Sequence, residues 1–124
     1  VILVDTSVWI DHLHSTEPRL QEFLVADVVA THDGIIEELA LGSIRGREEV
    51  IGRLEALRRA PRLTHDELLT FVERNDLWGR GLSVIDVHLL GSARLSWAVV
   101  WSRDKRLLAA ARFLDIVTIV DPAA

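Results

Sequence analysis

The chain contains 19 acidic residues, and four of them sit where a solvated surface acid is not the obvious explanation. Asp5 directly follows the apolar run Val1-Ile2-Leu3-Val4, and Asp104 follows Ala98-Val99-Val100-Trp101 within Ser102-Arg103-Asp104-Lys105. Ligands of open parallel sheets bind beyond the carboxyl ends of the strands, so an acid just after such a run stands at the expected mouth. Asp86 begins a helical pattern whose i+3, i+4 and i+7 positions are Leu89, Leu90 and Ala93, which places the carboxylate on the apolar side of its helix. Glu38 has Gly34, Ile35, Leu41 and Gly42 as its helical neighbours, so no base one turn away neutralises it. Three of the four also have a structural explanation. Asp5 can cap a helix starting near Thr6, Asp104 is favoured by a helix dipole, and Asp86 occupies the third position after a Ser83 cap.

Convergence of the four would have a definite chemical consequence. Two carboxylates ~4 Å apart repel by roughly 4 kcal/mol at an effective dielectric of 20. Ionised, such a cluster needs cations, and oxygen-only ligands select Mg²⁺, Mn²⁺ or Ca²⁺. Carboxylate-held divalent ions commonly serve phosphodiester chemistry, by lowering the pKa of water and holding the attacking and leaving oxygens.

The elements that must position these groups alternate. Val1–Val4, Asp27–Thr31, Ala98–Trp101 and Ile116–Val120 are strand-like runs, apolar throughout as in strands covered on both faces. Arg62-Leu63-Thr64 is a weaker fifth candidate. Thr64-His65-Asp66-Glu67 has capping-box spacing and opens a helix to about Asn75, and Ser83-Val84-Ile85-Asp86 is a similar start. Residues 47–60 read as an amphipathic helix stopped by Pro61, and Pro18 suits a first helical position. The expectation is one α/β domain over residues 1–124 with a mainly parallel sheet.

Composition narrows the class. A 124-residue chain that is 49% hydrophobic and 27% charged is expected to bury one substantial core. No run reaches the ~20 apolar residues of a membrane span, and no signal-peptide pattern leads the chain, so a soluble cytoplasmic protein is expected. Cys is absent, which excludes disulfides and thiolate metal sites. No His-x-x-x-His or His-Glu-x-x-His run occurs, which argues against zinc. A net charge of −5 argues against coating nucleic acid by bulk positive charge, although it leaves open a small pocket that binds locally.

Taken in order, Val1-Ile-Leu-Val-Asp-Thr-Ser-Val-Trp-Ile10, Glu38-Leu-Ala-Leu-Gly42, Ile85-Asp-Val-His-Leu-Leu90 and Trp101-Ser-Arg-Asp-Lys-Arg-Leu107 resemble the PIN-domain ribonucleases, and more narrowly the VapC-type toxins of bacterial toxin–antitoxin pairs. The resemblance spans essentially the whole chain. It implies a three-layer sandwich around a five-stranded, mainly parallel sheet, which matches the residue pattern only if the strand near Leu63 exists. It assigns the family's four acids to Asp5, Glu38, Asp86 and Asp104, binding Mg²⁺ or Mn²⁺ so that a metal-activated water cleaves RNA. Ser102 takes the place of the family hydroxyl beside the fourth acid. The resemblance further implies a homodimer, a small VapB-type antitoxin whose C-terminal segment can reach the acidic pocket with a basic side chain, and a transfer or ribosomal RNA as substrate.

All but one of the 14 basic residues are Arg, a side chain suited to forked phosphate contacts. Arg80, between Gly79 and Gly81 in the loop entering the Asp86 helix, is a candidate contact to an RNA backbone, with a solvated loop residue as the plain alternative. Arg103 and Lys105 are weaker candidates. Two other functions remain open on the residues. A phosphoacceptor or phosphatase domain also carries Asp after its first strand, but Asp5-Thr6-Ser7 lacks the Asp-x-Asp spacing. A non-catalytic binding module with a vestigial pocket is the other.

Overall fold

The computed structural model describes residues 1–121. Its strands are β1 (Ile2–Val4), β2 (Val29–Thr31), β3 (Arg58–Arg59) and β4 (Val99–Trp101). Its helices are α1 (Thr6–His14), α2 (Pro18–Val25), α3 (Asp33–Ala40), α4 (Arg47–Glu55), α5 (His65–Arg74), α6 (Val84–Ser96) and α7 (Lys105–Phe113). The strands form one parallel sheet in the order β3-β2-β1-β4. Every residue of β1 and β2 is buried, as the uninterrupted apolar runs require of strands covered on both faces. The result is an α/β sandwich whose core joins Leu3, Val4, Val29, Ile35, Leu89, Leu90, Val100 and Trp101 to Leu107 of α7.

Four strands, not five, make this sheet, which corrects the five-stranded architecture expected above. The run Ile116–Val120 meets β4 through a single bridge, Val100 to Thr118. There Val100 N–H donates to the Val117 carbonyl and Ile119 N–H to the Val100 carbonyl, both at 2.9 Å. Asp115, with φ of 58°, turns the chain out of α7, and Val117 and Val120 then face solvent, 66% and 80% exposed. An edge segment with half its apolar residues in water has no buried face to fix a longer register. The third strand is also displaced, from residues 62–64 to Arg58–Arg59, inside the stretch read as the end of a helix. Helix α4 stops at Glu55, and Ala60 N–H donates to the Thr31 carbonyl at 2.7 Å. Sheet pairing here overrides the local helical pattern.

Local signals held at the other helix starts. Pro18 opens α2, Thr64 and Glu67 close a capping box on α5, and Ser83 and Asp86 close one on α6. The topology decides what lies next to what. Strand β1 is flanked by β2 on one side and β4 on the other, so the chain reverses its winding direction at β1, where α/β sheets open a crevice. Val4 pairs in register with Trp101, so Asp5 and Ser102 emerge side by side.

Candidate active site

Asp5 is 6% exposed and Ser102 1% exposed. Asp5 occupies the N-cap position of α1 yet makes no side-chain cap bond, so helix capping does not explain it. Instead Ser7 Oγ and Ser102 Oγ both donate to Asp5 Oδ2 at 2.7 Å. The two hydroxyls are themselves fixed from behind, because Ser7 Oγ accepts from Arg103 N–H and Ser102 Oγ from Asp104 N–H, each at 3.0 Å. Two O–H donors converging on one oxygen hold the buried carboxylate still.

The other three acids approach from three different elements. Glu38 is half-buried on α3, with Oε1 accepting from Thr6 Oγ1 of α1 at 2.7 Å. Asp86 is half-buried at the start of α6, where Oδ2 accepts from Ser83 N–H at 2.9 Å. Asp104 is exposed and caps α7 through Oδ1, which accepts from Arg106 and Leu107 N–H at 2.9 and 3.1 Å. The capping explanation for Asp86 is therefore correct as far as it goes, and Asp104, expected as a first-turn acid, is the N-cap of α7 instead. Each role accounts for one oxygen. Among the described residues the second oxygen of all four carboxylates has no protein hydrogen-bond donor, and no Arg, Lys or His forms an ion pair with any of the four.

Their charges act on one another. Burial pushes the Glu38 carboxyl above the usual carboxylate range, and the charges of Asp5 and Asp86 push it further, against the opposing Thr6 hydrogen bond. Burial likewise raises Asp86, with Asp5 and Asp104 adding to the shift and the Ser83 bonds opposing it. Like charges disfavour ionisation only when close, so Asp5, Glu38, Asp86 and Asp104 are linked pair by pair, Glu38 to Asp5 and Asp86, and Asp86 to Asp5 and Asp104. Among the described residues no three His, Cys, Asp or Glu side chains form a ready-made metal-holding group. The carboxylates are gathered, but not drawn into a finished coordination shell. The donor set nonetheless fits a hard divalent ion, being all oxygen, acidic and left with an unengaged oxygen on each member.

Two positioning residues were not evident from the sequence, Thr6 for Glu38 and Ser7 for Asp5. The signal was present as consecutive hydroxyls directly after a strand-end Asp, a pattern able to orient a carboxylate but read only as the start of a helix. The basic candidates separate cleanly. Arg103 is consumed within the protein, pairing with Asp11 and Glu17 at 2.7 Å and Asp121 at 3.2 Å, so it is no free phosphate contact. Arg80 is exposed, donates from Nε to the Asp76 carbonyl at 2.8 Å and stacks 4.1 Å above the Phe113 ring. With Lys105 and Arg106 it lines a cleft of about 290 Å³ beside Asp104. A larger cavity of about 550 Å³ opens at Glu38 and Thr6 and runs past Ile10, Leu13 and Ile44. Trp9 is 5% exposed and belongs to the core.

Known proteins share both the sequence pattern and the fold. Residues 2–113 match the PIN domain family. The chain is 53% identical over 111 residues to ribonuclease VapC32 of Mycobacterium tuberculosis, from two strains, covering 89% of this chain and 90% of that protein. The crystal structure of PAE2754 from Pyrobaculum aerophilum superposes with a TM-score of 0.63 at 18% identity, covering 94% of this chain and 87% of that one. FitAcB from Neisseria gonorrhoeae gives 0.62 at 17% identity over 97% of both chains. At these identities the two structures speak for the fold alone, while the family match and the 53% relative speak for membership. The chain, with its four acids at the carboxyl end of a parallel sheet, belongs to the PIN-domain family and within it to the VapC type.

Proposed function

We propose that this protein is a divalent-metal-dependent endoribonuclease, the toxin of a toxin–antitoxin pair. The observation that carries the proposal is the set of four carboxylates with no cationic partner, each held by one oxygen and open at the other. In this reading Asp5, Glu38, Asp86 and Asp104 hold Mg²⁺ or Mn²⁺ and are the catalytic residues. A bound ion of that kind supplies Lewis acidity and lowers the pKa of water near the scissile phosphate. The protein's own share is positional. Ser7 and Ser102 hold Asp5 in place, Thr6 sets the Glu38 rotamer, and the Ser83 box sets Asp86. Glu38 and Asp86 bind protons more readily than ordinary carboxylates, so a cation held there would compete with protons. Hydrolysis adds water across one P–O bond of the RNA backbone.

Substrate reaches the acids past the Arg80–Lys105–Arg106 cleft, whose cations contact backbone phosphates, and Ser102, buried behind Asp5, serves substrate binding through the carboxylate it holds. Transfer or ribosomal RNA is the proposed substrate class. The cavity beside Glu38, bordered by the half-exposed Ile10 and Leu13, receives an apolar segment of a VapB-type antitoxin whose basic side chain neutralises the acids. Residues 1–124 act as one domain, paired as a homodimer in the cytoplasm. Among the described residues no helix is long and apolar enough to cross a membrane.

The deciding experiment is RNA cleavage by purified protein with Mg²⁺ or Mn²⁺, with and without EDTA. Cleavage that EDTA abolishes and that Asp5→Asn reduces by ~100-fold or more is expected. Full activity in Asp5→Asn would refute the assignment.

A further inference from the structure

The residue between β2 and α3 is His32, 1% exposed, and it is the N-cap of the helix that carries Glu38. Its Nδ1 accepts from Gly34 N–H at 2.9 Å. An imidazole that accepts at Nδ1 must be neutral and carry its proton on Nε2. That Nε2 is buried without a partner among the described residues, as is Nδ1 of His88 on α6. The two rings lie 5.5 Å apart.

The contact joins two site-bearing helices. At Gly34 an added Cβ would stand 3.2 Å from Ile85 and 3.3 Å from His32 Nδ1. The first turn of α3 is thus packed closely against the first turn of α6, where Ile85 precedes Asp86. How α3 leaves the sheet here sets where Glu38 stands relative to Asp86.

We propose that His32 is a positioning residue for Glu38, holding the first turn of α3 only in its neutral form, so that protonation of His32 releases that turn and loosens the acidic site. Protonation turns Nδ1 from acceptor to donor, directly facing the Gly34 N–H donor. It also places a cation at a helix N-terminus, the wrong sign for the dipole. The surrounding charges are mixed. Asp33 and Glu37 of α3 favour the imidazolium, while His88 of α6 and Arg62 after β3 oppose it. Asp33 is itself paired to Arg59 at 2.5 Å. Burial outweighs the acids and holds His32 below the ordinary histidine value of 6.5. The unfolded chain therefore binds this proton more readily. The cap's contribution is complete above that ordinary value and declines as pH falls through the interval toward the folded one.

The inference deepens the proposed function through Glu38, and its test has one arm that does not need that function. In the metal-free protein, ¹⁵N spectra of the imidazoles are expected to show His32 as the Nε2–H tautomer. Amides of the first turn of α3 are expected to shift with the same midpoint as the ring. An Nδ1–H tautomer, or α3 amides indifferent to the ring's titration, overturns the proposal whether or not the protein binds metal or cuts RNA. The second arm compares Mn²⁺ affinity at pH 7.5 and at the ring's own midpoint measured in the first arm, in the wild type and in His32→Asn, whose side chain still caps but does not titrate there. Glu38 and Asp86 titrate in both proteins, so the comparison cancels them. At that midpoint half the molecules carry the protonated ring, so the wild type is expected to lose about twofold affinity beyond the loss in His32→Asn. Equal losses overturn the proposal. No Mn²⁺ binding to either protein at pH 7.5 would refute the proposed function instead, and the tautomer arm would then decide.

Discussion

Ser102→Ala removes the hydroxyl that links the ends of β1 and β4. In the wild type that hydroxyl donates to Asp5 Oδ2 at 2.7 Å and accepts from Asp104 N–H at 3.0 Å. A hydrogen bond to a buried ionised group is worth about 1.5–3 kcal/mol net. The Asp104 amide lies beside an exposed residue where water can replace the lost acceptor, so it adds little. A total cost of about 2 kcal/mol follows. With an unfolding entropy of ~2.1 cal/mol/K per residue, a 124-residue chain loses about 4 °C of Tm per kcal/mol, hence about 8 °C here. A double-mutant cycle with Asp5→Asn tests the origin of the loss. Against the neutral amide the same hydroxyl makes only an ordinary hydrogen bond, so Ser102→Ala should cost about 1 kcal/mol less in that background. Thermal and urea unfolding of the four proteins at pH 7, free of metal, measure this. A single-mutant cost under about 0.5 kcal/mol, or the same cost in both backgrounds, would refute the claim that Ser102 holds an ionised Asp5.

Three further outcomes are expected. Glu38 and Asp86 have raised proton affinity in the fold, mainly from burial, so metal-free stability should fall as pH rises from the ordinary carboxylate range through their folded values. Glu38→Gln and Asp86→Asn should each raise metal-free stability at pH 7, by on the order of 1 kcal/mol or less since both are partly exposed, and each should abolish the Tm increase caused by Mn²⁺. Destabilisation by both substitutions would contradict the repelling cluster. Arg103→Ala leaves Asp11, Glu17 and Asp121 facing one another around a side chain that is 28% exposed, between the exposed and buried limits for ion pairs, and should cost about 2 kcal/mol in urea unfolding. Arg80→Ala and Lys105→Ala should raise KM for RNA with kcat nearly unchanged, and each should reduce the salt slope of RNA binding by about one. A kcat loss with constant KM would instead place these side chains at the reacting phosphate.

What the sequence determined by itself is the part written in short-range chemistry. Uninterrupted apolar runs specified strands buried on both faces, and Ser83 with Asp86 and Thr64 with Glu67 specified helix starts, because capping bonds span only three residues. The apolar stripe of α6 marked Asp86 as an inward acid, and the four family motifs named the full set. Tertiary structure decided the rest. Whether residues 58–59 pair as a strand and residues 116–120 as little more than a bridge depended on the neighbouring edge and its burial, not on local propensity. That Asp5 is held by Ser102, 97 positions away, followed from β1 lying between β2 and β4 in one register. Arg103 was a weaker candidate than Arg80 along the chain but still a cation beside Asp104, and three carboxylates from distant segments neutralise it. Among the described residues the same geometry left the four candidate acids without any such partner. A carboxylate's charge is local, but the compensation of that charge is decided by whatever the fold brings near it.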